Sequence, residues 1–229
     1  MDKAAALYHS QMVEVLDRFK AIDRALGSNE LSTSSVNFDD EFMWLQIRKI
    51  VELVTFSGIT ADEERYAALR AEATKNPDYT QDWKVNNILP RLSTITPHYL
   101  PIPTTPAVLM ATGLYSYDEI AGLRTVERFK DIYNTAGEYL HVSNPFSPTR
   151  VAEFQQALRQ SRALMKKELE YLKGMLWRHI KIGLAFDKAA DVPTDAGEPQ
   201  QAWVVEFDNP LPGHVHMMLA VSTPPPGPK

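Results

Sequence analysis

The sequence predicts a mainly α fold, a helical bundle of five or six helices with a small C-terminal antiparallel three-stranded sheet. Two observations favour it. Up to residue 178, apolar residues recur at three- and four-residue steps, which is the spacing of amphipathic helices. From residue 180 the pattern changes to alternation, which is typical of strands. We expect a bundle domain, a sheet packed on it and a disordered tail, over 1–178, 179–222 and 223–229.

The central helix is predicted at residues 37–56, NFDDEFMWLQIRKIVELVTF. At about 100° per residue, its apolar residues cover more than half of the helix surface, so other helices should cover it on several sides. Asn37 is the expected N-cap and Gly58 the expected end. Arg48 and Glu52 share the remaining polar stripe at i, i+4 spacing.

The same spacing predicts further helices at 3–26, 60–75, 82–92, 116–140 and 147–178. Gly27 should end the first of them. Thr60 and Glu63 should start the second as a capping box. Trp83 and Ile88 should anchor the third in the core.

Four prolines exclude a regular helix from residues 96–112. This segment should wrap over the core, because it carries apolar side chains that are costly to leave in water. They are Tyr99, Leu100, Ile102, Val108, Leu109 and Met110.

Two polar residues fall inside apolar helix faces. Gln46 projects between Ile50 and Leu53, and Glu168 lies near the centre of the apolar face of the last helix. Both should be buried, and a buried polar group needs hydrogen-bond partners. A structural bond between two helices is the favoured interpretation of Gln46. The alternative is that Gln46 and Glu168 bind a ligand at the bundle centre.

A basic stripe lines the opposite edge of the last helix, at Arg159, Arg162, Lys166 and Lys173. Such a stripe could meet phosphates. A solvated helix face is the commoner meaning of this pattern and is the interpretation that we favour.

Three strands are predicted at 180–187, 202–208 and 214–222, the last two joined by the turn NPLPGH. His214 and His216 should face one side of their strand, and Glu206 opposite could complete three metal ligands. Paired surface histidines are far commoner than metal sites, so we expect no metal and no cofactor.

Composition restricts the function classes. The net charge of −5 argues against strong nonspecific nucleic-acid binding. The sequence has no phosphate-binding glycine loop, no Gly-x-Ser-x-Gly elbow and no His-Glu-x-x-His zinc helix. It also lacks cysteine and any apolar run of about 18 residues, so we expect a cytoplasmic protein without a membrane partner.

His141 is the residue most suited to chemistry. It follows Glu138 by one turn at a predicted helix end, with Asn134 before it and Asn144 after it. A histidine there could act as a general acid or base near neutral pH. It could also cap the helix by bonding a terminal carbonyl, and the residues alone favour capping.

Three segments carry a family resemblance that covers roughly residues 38–222. They are FDDEFMWLQIRKIVELVTFSG, WKVNNILPRLSTITPHYLPIP and DIYNTAGEYLHVSNPF. The first resembles the central helix of a group of uncharacterised bacterial proteins. The second resembles their short helix followed by a Pro–aromatic–Pro segment, and the third resembles their helix ending in Leu-His-x-x-Asn-Pro. That group is similar in outline to the HEPN superfamily of helical bundles.

The resemblance implies a homodimer and a link to RNA or nucleotides, because many HEPN proteins are metal-independent endoribonucleases or nucleotide-binding modules of defence and toxin–antitoxin systems. Their active site pairs an arginine with a histidine four to six residues later. His141 matches that histidine. No arginine stands at residues 134–137, where Asn134 is the polar residue. Arg48 is the candidate to replace it.

The leading hypothesis is therefore a HEPN-like binding or dimerisation module for RNA or a nucleotide, with ribonuclease activity weak or lost. The alternative is a metal-independent endoribonuclease that uses His141, with Arg48 recruited across the bundle in place of the motif arginine. A third hypothesis is a structural partner of another protein that docks through the hairpin and the proline-rich tail.

Overall fold

The computed structural model describes residues 3–28, 33, 35–73, 77–141, 146, 148–183, 201–209 and 211–221. Its helices are α1 (Lys3–Gly27), α2 (Val36–Ala61), α3 (Glu63–Ala71), α4 (Val85–Ile95), α5 (Val126–Leu140) and α6 (Pro148–Leu176), with a short 3-10 helix at Tyr79–Gln81. Its strands are β1 (Ile102–Pro103), β2 (Val108–Leu109), β3 (Tyr115–Ser116), β4 (Arg178–Ile182), β5 (Gln201–Phe207) and β6 (Val215–Val221). The predicted mainly α fold is confirmed. No helix in these ranges is long and apolar enough to cross a membrane.

The helix α2 is the centre of the bundle, as predicted, and it contacts α1, α4, α5 and α6. Trp44 is completely buried and stacks on Tyr139 of α5 with a centroid distance of 4.5 Å. Its indole Nε1 donates to Ser161 Oγ of α6 at 2.9 Å. One aromatic residue thus connects three helices. On the outer face of α2, Phe42 is 39% exposed, so the apolar residues of this helix are not all covered by other helices.

Both predicted ends of α2 are wrong. Ser35 is the N-cap, because its Oγ accepts from Asn37 N at 3.2 Å. The helix continues through Gly58 to Ala61. At Gly58 a Cβ would lie 2.8 Å from Tyr99 O, so this glycine allows close packing of the backbone and does not stop the helix.

The start of α3 also differs from the prediction. Thr60 lies inside α2 and its hydroxyl donates to Phe56 O, so it cannot begin a capping box. Asp62 is the N-cap residue, without a side-chain capping bond. At the third predicted helix, Ile88 is fully buried as expected, but Trp83 precedes α4 and is 60% exposed.

The segment before α5 is not helical. The predicted helix 116–140 begins only at Val126, because residues 108–116 form the hairpin β2–β3, whose turn holds Gly113 at a φ of 80°. Leu100 is buried as the wrapping prediction requires. The hairpin itself projects from the bundle, so the predicted burial of three of its residues is wrong: Val108, Leu109 and Met110 are all exposed.

The larger sheet has four antiparallel strands in the order β1-β4-β5-β6, one more than predicted. The extra strand comes from the proline-rich segment, where Ile102 pairs with Ile180. In β4 the polar residues face the core, since His179 and Lys181 are fully buried while Ile180 and Ile182 are only half-buried. Of the predicted strand 180–187, residues 184–187 lie outside the described residues, as does the predicted tail.

The buried side chains of β4 are hydrogen-bonded from distant parts of the chain. His179 Nε2 lies 2.8 Å from Tyr8 Oη, and its Nδ1 lies 2.8 Å from Leu176 O. Lys181 Nζ donates to His98 O at 2.7 Å and to Tyr99 O at 3.1 Å. Burial lowers the pKa of Lys181 to about 8, an effect that Asp62 opposes. These bonds explain how two titratable residues face the core.

His179 predicts a loss of stability in mild acid. Burial lowers its pKa from 6.5 to about 4, so between these values the unfolded chain binds a proton that the folded chain excludes. The stabilisation is present above the unfolded pKa and is lost as the pH falls toward the folded one. We expect about 2 kcal/mol less unfolding free energy near pH 5 than near pH 7 from this residue. Urea unfolding of the wild type and of His179→Gln at both pH values measures this difference in unfolding free energy. If the variant lost as much unfolding free energy between pH 7 and pH 5 as the wild type, the prediction would be contradicted.

Candidate functional site

The predicted site residues that the structure brings together lie where α2 crosses α5. Arg48 Nε donates to Glu52 Oε1 at 3.2 Å, which is the i, i+4 pair predicted from the sequence. Lys49 Nζ lies 2.7 Å from Glu52 Oε2. Glu52 therefore partly balances two positive charges on the surface of α2.

Arg48 is held on α5 by an aromatic side chain. Its Nη2 donates to Tyr133 Oη at 2.5 Å, and its Cζ lies 4.0 Å from the centre of the Tyr133 ring. A guanidinium over an aromatic face is attracted to the ring as well as bonded to its hydroxyl. The three contacts, one to Glu52 and two to Tyr133, order a long side chain that remains 21% exposed.

Gly137 gives Arg48 the space that it occupies. A Cβ at Gly137 would lie 2.8 Å from Arg48 Nη1. Because Nη1 is the far end of a flexible side chain, an added methyl group would displace the guanidinium and leave the backbone in place. Tyr133 and Gly137 are i, i+4 neighbours, so they stand on the same face of α5.

This geometry predicts that Gly137→Ala moves Arg48 without unfolding the protein. We expect the unfolding free energy to stay equal or rise by up to about 1 kcal/mol, because alanine is the better residue in a helix interior. The NMR signal of Arg48 Nε should shift. Gly174→Ala is the matched control, since its nearest neighbour, Leu123 Cδ1, is 3.6 Å away, an ordinary contact. A clear loss of stability in Gly137→Ala, or an unchanged Arg48 signal, contradicts the assignment.

His141 lies one turn beyond Gly137, at the end of α5. It is the C-cap residue, with extended backbone angles (φ −97°, ψ 139°), and it is exposed. Within the described ranges, no hydrogen bond joins it to Arg48. Arg48 extends from α2 over Gly137 of α5, and His141 follows Gly137 by four residues along the chain.

A hydrogen bond also connects α4 to α5, at the residue next to Tyr133 in the chain. Asn86 Nδ2 of α4 donates to Asn134 Oδ1 of α5 at 2.8 Å. The other polar atom of Asn86, Oδ1, is buried and has no hydrogen-bond partner among the described residues. Asn134 thus bonds neither Arg48 nor His141, but it fixes α4 beside them.

We call the surface made by these residues the Arg48 surface. Its members are Arg48, Glu52, Asn86, Tyr133, Asn134, Gly137 and His141. Glu138 is exposed next to Gly137. Asn144 lies outside the described residues.

The two buried polar residues belong elsewhere. Gln46 is 8% exposed and Glu168 is 3% exposed, so their predicted burial is confirmed. Gln46 Oε1 accepts from Arg18 Nη1 of α1 at 2.5 Å. Glu168 pairs with Arg128 of α5. Each has its own arginine, so the structure does not join them in one central polar network, and a structural role fits both.

The remaining sequence candidates also have structural partners. On α6, Arg162 pairs with Asp40 at 2.8 Å and Lys173 with Asp23 at 2.7 Å, so half of the basic stripe connects helices. The side chain of Arg159 lies outside the described part. Glu206 pairs with Arg178 at 2.5 Å and also accepts from Asn209. In the parts of the chain that are described, no three His, Asp or Glu residues are grouped to hold a metal ion.

Three members of the Arg48 surface were not singled out by the sequence. Tyr133, Gly137 and Asn86 have residue types and positions that do not by themselves indicate a site. The sequence signals that point to this surface are the Arg48–Glu52 spacing and the position of His141 at a predicted helix end. Comparisons of the chain with protein-family models, with curated proteins and with solved structures found no match.

Proposed function

We propose that the protein is a HEPN-like bacterial module that binds RNA or a nucleotide through the Arg48 surface. The observation that carries this proposal is the placement of Arg48, which lies on Tyr133 and over Gly137, one turn before His141. An ordered guanidinium and an exposed imidazole near the end of α5 are suited to the phosphate and sugar of a nucleotide.

An exposed aromatic residue and the cation beside it also support a nucleic-acid ligand. Trp83, three residues before Asn86, is 60% exposed, and Lys84 Nζ lies 5.0 Å from its ring centre. An exposed aromatic ring beside a cation can stack a base of a single strand.

Binding is a better fit than catalysis because Arg48 is already engaged. Glu52 balances part of its charge, and Tyr133 occupies one of its terminal nitrogens. Stabilising a pentavalent phosphorus transition state needs donors aimed at the developing charge and free to meet it. The donors left on Arg48 can bind a phosphate in the ground state.

The test is titration of a fluorescently labelled single-stranded RNA with the protein in chelator, followed by anisotropy. We expect saturable binding that weakens as the salt concentration rises. Asn86→Leu should weaken it because it removes the bond to Asn134, whereas Asn87→Leu, an exposed neighbour on α4, should not. No binding, or equal effects of the two substitutions, contradicts the proposal.

The endoribonuclease remains a second candidate, because Arg48 lies over Gly137, four residues before His141. Incubation with mixed cellular RNA in chelator, with His141→Ala alongside, separates the two functions. The binding proposal expects no chelator-resistant cleavage by either protein. Cleavage by the wild type that is lost in His141→Ala would establish the enzyme, with His141 moving the proton of the ribose 2′-hydroxyl.

Dimerisation is proposed through the outer face of α2, which carries three exposed apolar residues at helical spacing. Phe38 is 54%, Phe42 39% and Leu45 40% exposed. Light scattering after size-exclusion chromatography should give a dimer for the wild type and a monomer for Phe42→Glu. Leu109→Glu on the hairpin is the control and should stay dimeric. A monomeric wild type contradicts the dimer.

A further inference from the structure

A cleft lies at the C-terminal end of α2. It has a volume of about 300 Å³ and is lined by residues of α1, the end of α2, the start of α3 and the 3-10 helix. That volume is at the lower end of the range for small-molecule sites, which is roughly 300–1,000 Å³. The cleft therefore suits a small molecule and is too small for a folded segment.

One wall of the cleft is apolar. Leu7, Phe56 and Ile59 line it, and Leu7 is 49% exposed although its spacing in α1 predicts a core position. A leucine side chain that faces an open cleft gains free energy when an apolar group covers it. The wall thus accepts the hydrocarbon part of a ligand.

The opposite wall carries a carboxylate. Glu63 Oε1 accepts from Tyr79 Oη at 2.6 Å, and both residues line the cleft. In the part of the chain that the structure describes, Glu63 has no ion pair. Asp82, the other acidic lining residue, differs because Arg70 and Arg91 neutralise it at 2.7 and 3.0 Å. Glu63 is thus the charge in this cleft that a ligand can pair with.

We propose that this cleft binds a small organic cation, an amine with an apolar body. The ammonium group pairs with Glu63 in a charge-assisted hydrogen bond. The rings of Phe56 and Tyr79 line the same cleft, and aromatic faces attract a cation. The apolar body covers Leu7 and Ile59. This site is separate from the Arg48 surface and adds a second ligand class to the protein.

The first test is calorimetric titration of the full chain with 2-phenylethylamine, which is a cation at neutral pH. The neutral 2-phenylethanol and the anion 3-phenylpropionate have comparable apolar bodies and serve as controls. We expect the amine to bind at least about tenfold more tightly than either control, because only it can form the charge-assisted bond. No binding of the amine, or equal binding of all three, overturns the proposal.

Two substitutions locate the site. Glu63→Gln keeps the shape and removes the charge, so amine affinity should fall by about tenfold or more. Glu64→Gln is the matched control, because it removes the same charge from the next residue of the same helix turn but does not line the cleft. Equal affinities of the two variants overturn the proposal. Arg48→Met should leave amine binding unchanged, because Arg48 does not line the cleft. Failure of the amine proposal can therefore be distinguished from failure of the nucleotide proposal.

Discussion

Replacing Trp44 with alanine is expected to lower the free energy of unfolding by about 3–5 kcal/mol. Trp44 is fully buried where α2, α5 and α6 meet. Its removal leaves a cavity, ends the stacking on Tyr139 and leaves the Ser161 hydroxyl without its indole partner. Urea denaturation followed by circular dichroism measures the change.

Trp83→Ala is the matched control for that experiment. The same side chain is removed, but Trp83 is 60% exposed and precedes α4. Substitutions at such positions change stability by about 0.5 kcal/mol or less. Similar losses in the two variants would mean that α2 is not the centre of the bundle.

Replacing Arg48 with methionine is expected to weaken binding of single-stranded RNA by about tenfold to a hundredfold, since a hydrogen bond to a charged group contributes about 1.5–3 kcal/mol. Methionine keeps the length of the side chain and its helix propensity, but it removes the guanidinium that lies on Tyr133. Fluorescence anisotropy with labelled RNA measures the affinity. The fold should persist, because the side chain lies at the surface of the α2–α5 contact.

Lys49→Met is the control for Arg48. Both substitutions remove one positive charge and one contact to Glu52. Among the described residues, no hydrogen bond or ion pair joins Lys49 to Tyr133 or Gly137, and Lys49 is 46% exposed. If Lys49→Met weakened binding as much as Arg48→Met, the effect would come from net charge, and the Arg48 surface would lose its support.

The helical part of the fold could be predicted because burial along its helices follows a regular period. In α2 up to Val54, in α5 and in the described side chains of α6, burial repeats with the helical period, and this period is visible in the sequence. In the strand β4 the alternation is the reverse of the expected one, because the polar residues are buried and the apolar residues are only half-buried. His179 and Lys181 can point inward because they have hydrogen-bond partners there. Tyr8 bonds His179, and the backbone oxygens of His98 and Tyr99 bond Lys181. These partners are about 80 or more residues away in the sequence. No local pattern carries that information.

The same limit applies to the sheet and the site. The strand β1 forms because Ile102 and Pro103 pair with β4. The proline-rich segment has no alternation of apolar and polar residues that would predict this strand. In the site, Arg48 and His141 stood out by residue type and position. Tyr133, Gly137 and Asn86 did not, because their roles arise only where α2, α4 and α5 meet. Gly58 and Gly137 show this most simply, since packing between helices, and not helix termination, accounts for both.

Hydrogen–deuterium exchange with and without single-stranded RNA tests the central claim most directly. If RNA binds the Arg48 surface, exchange should slow at the end of α5, around residues 133–141, and at the start of α4, around residues 83–87. Exchange in α6 and the four-stranded sheet should not change. Protection confined to α6 or the sheet, or no protection at saturating RNA, would contradict the account.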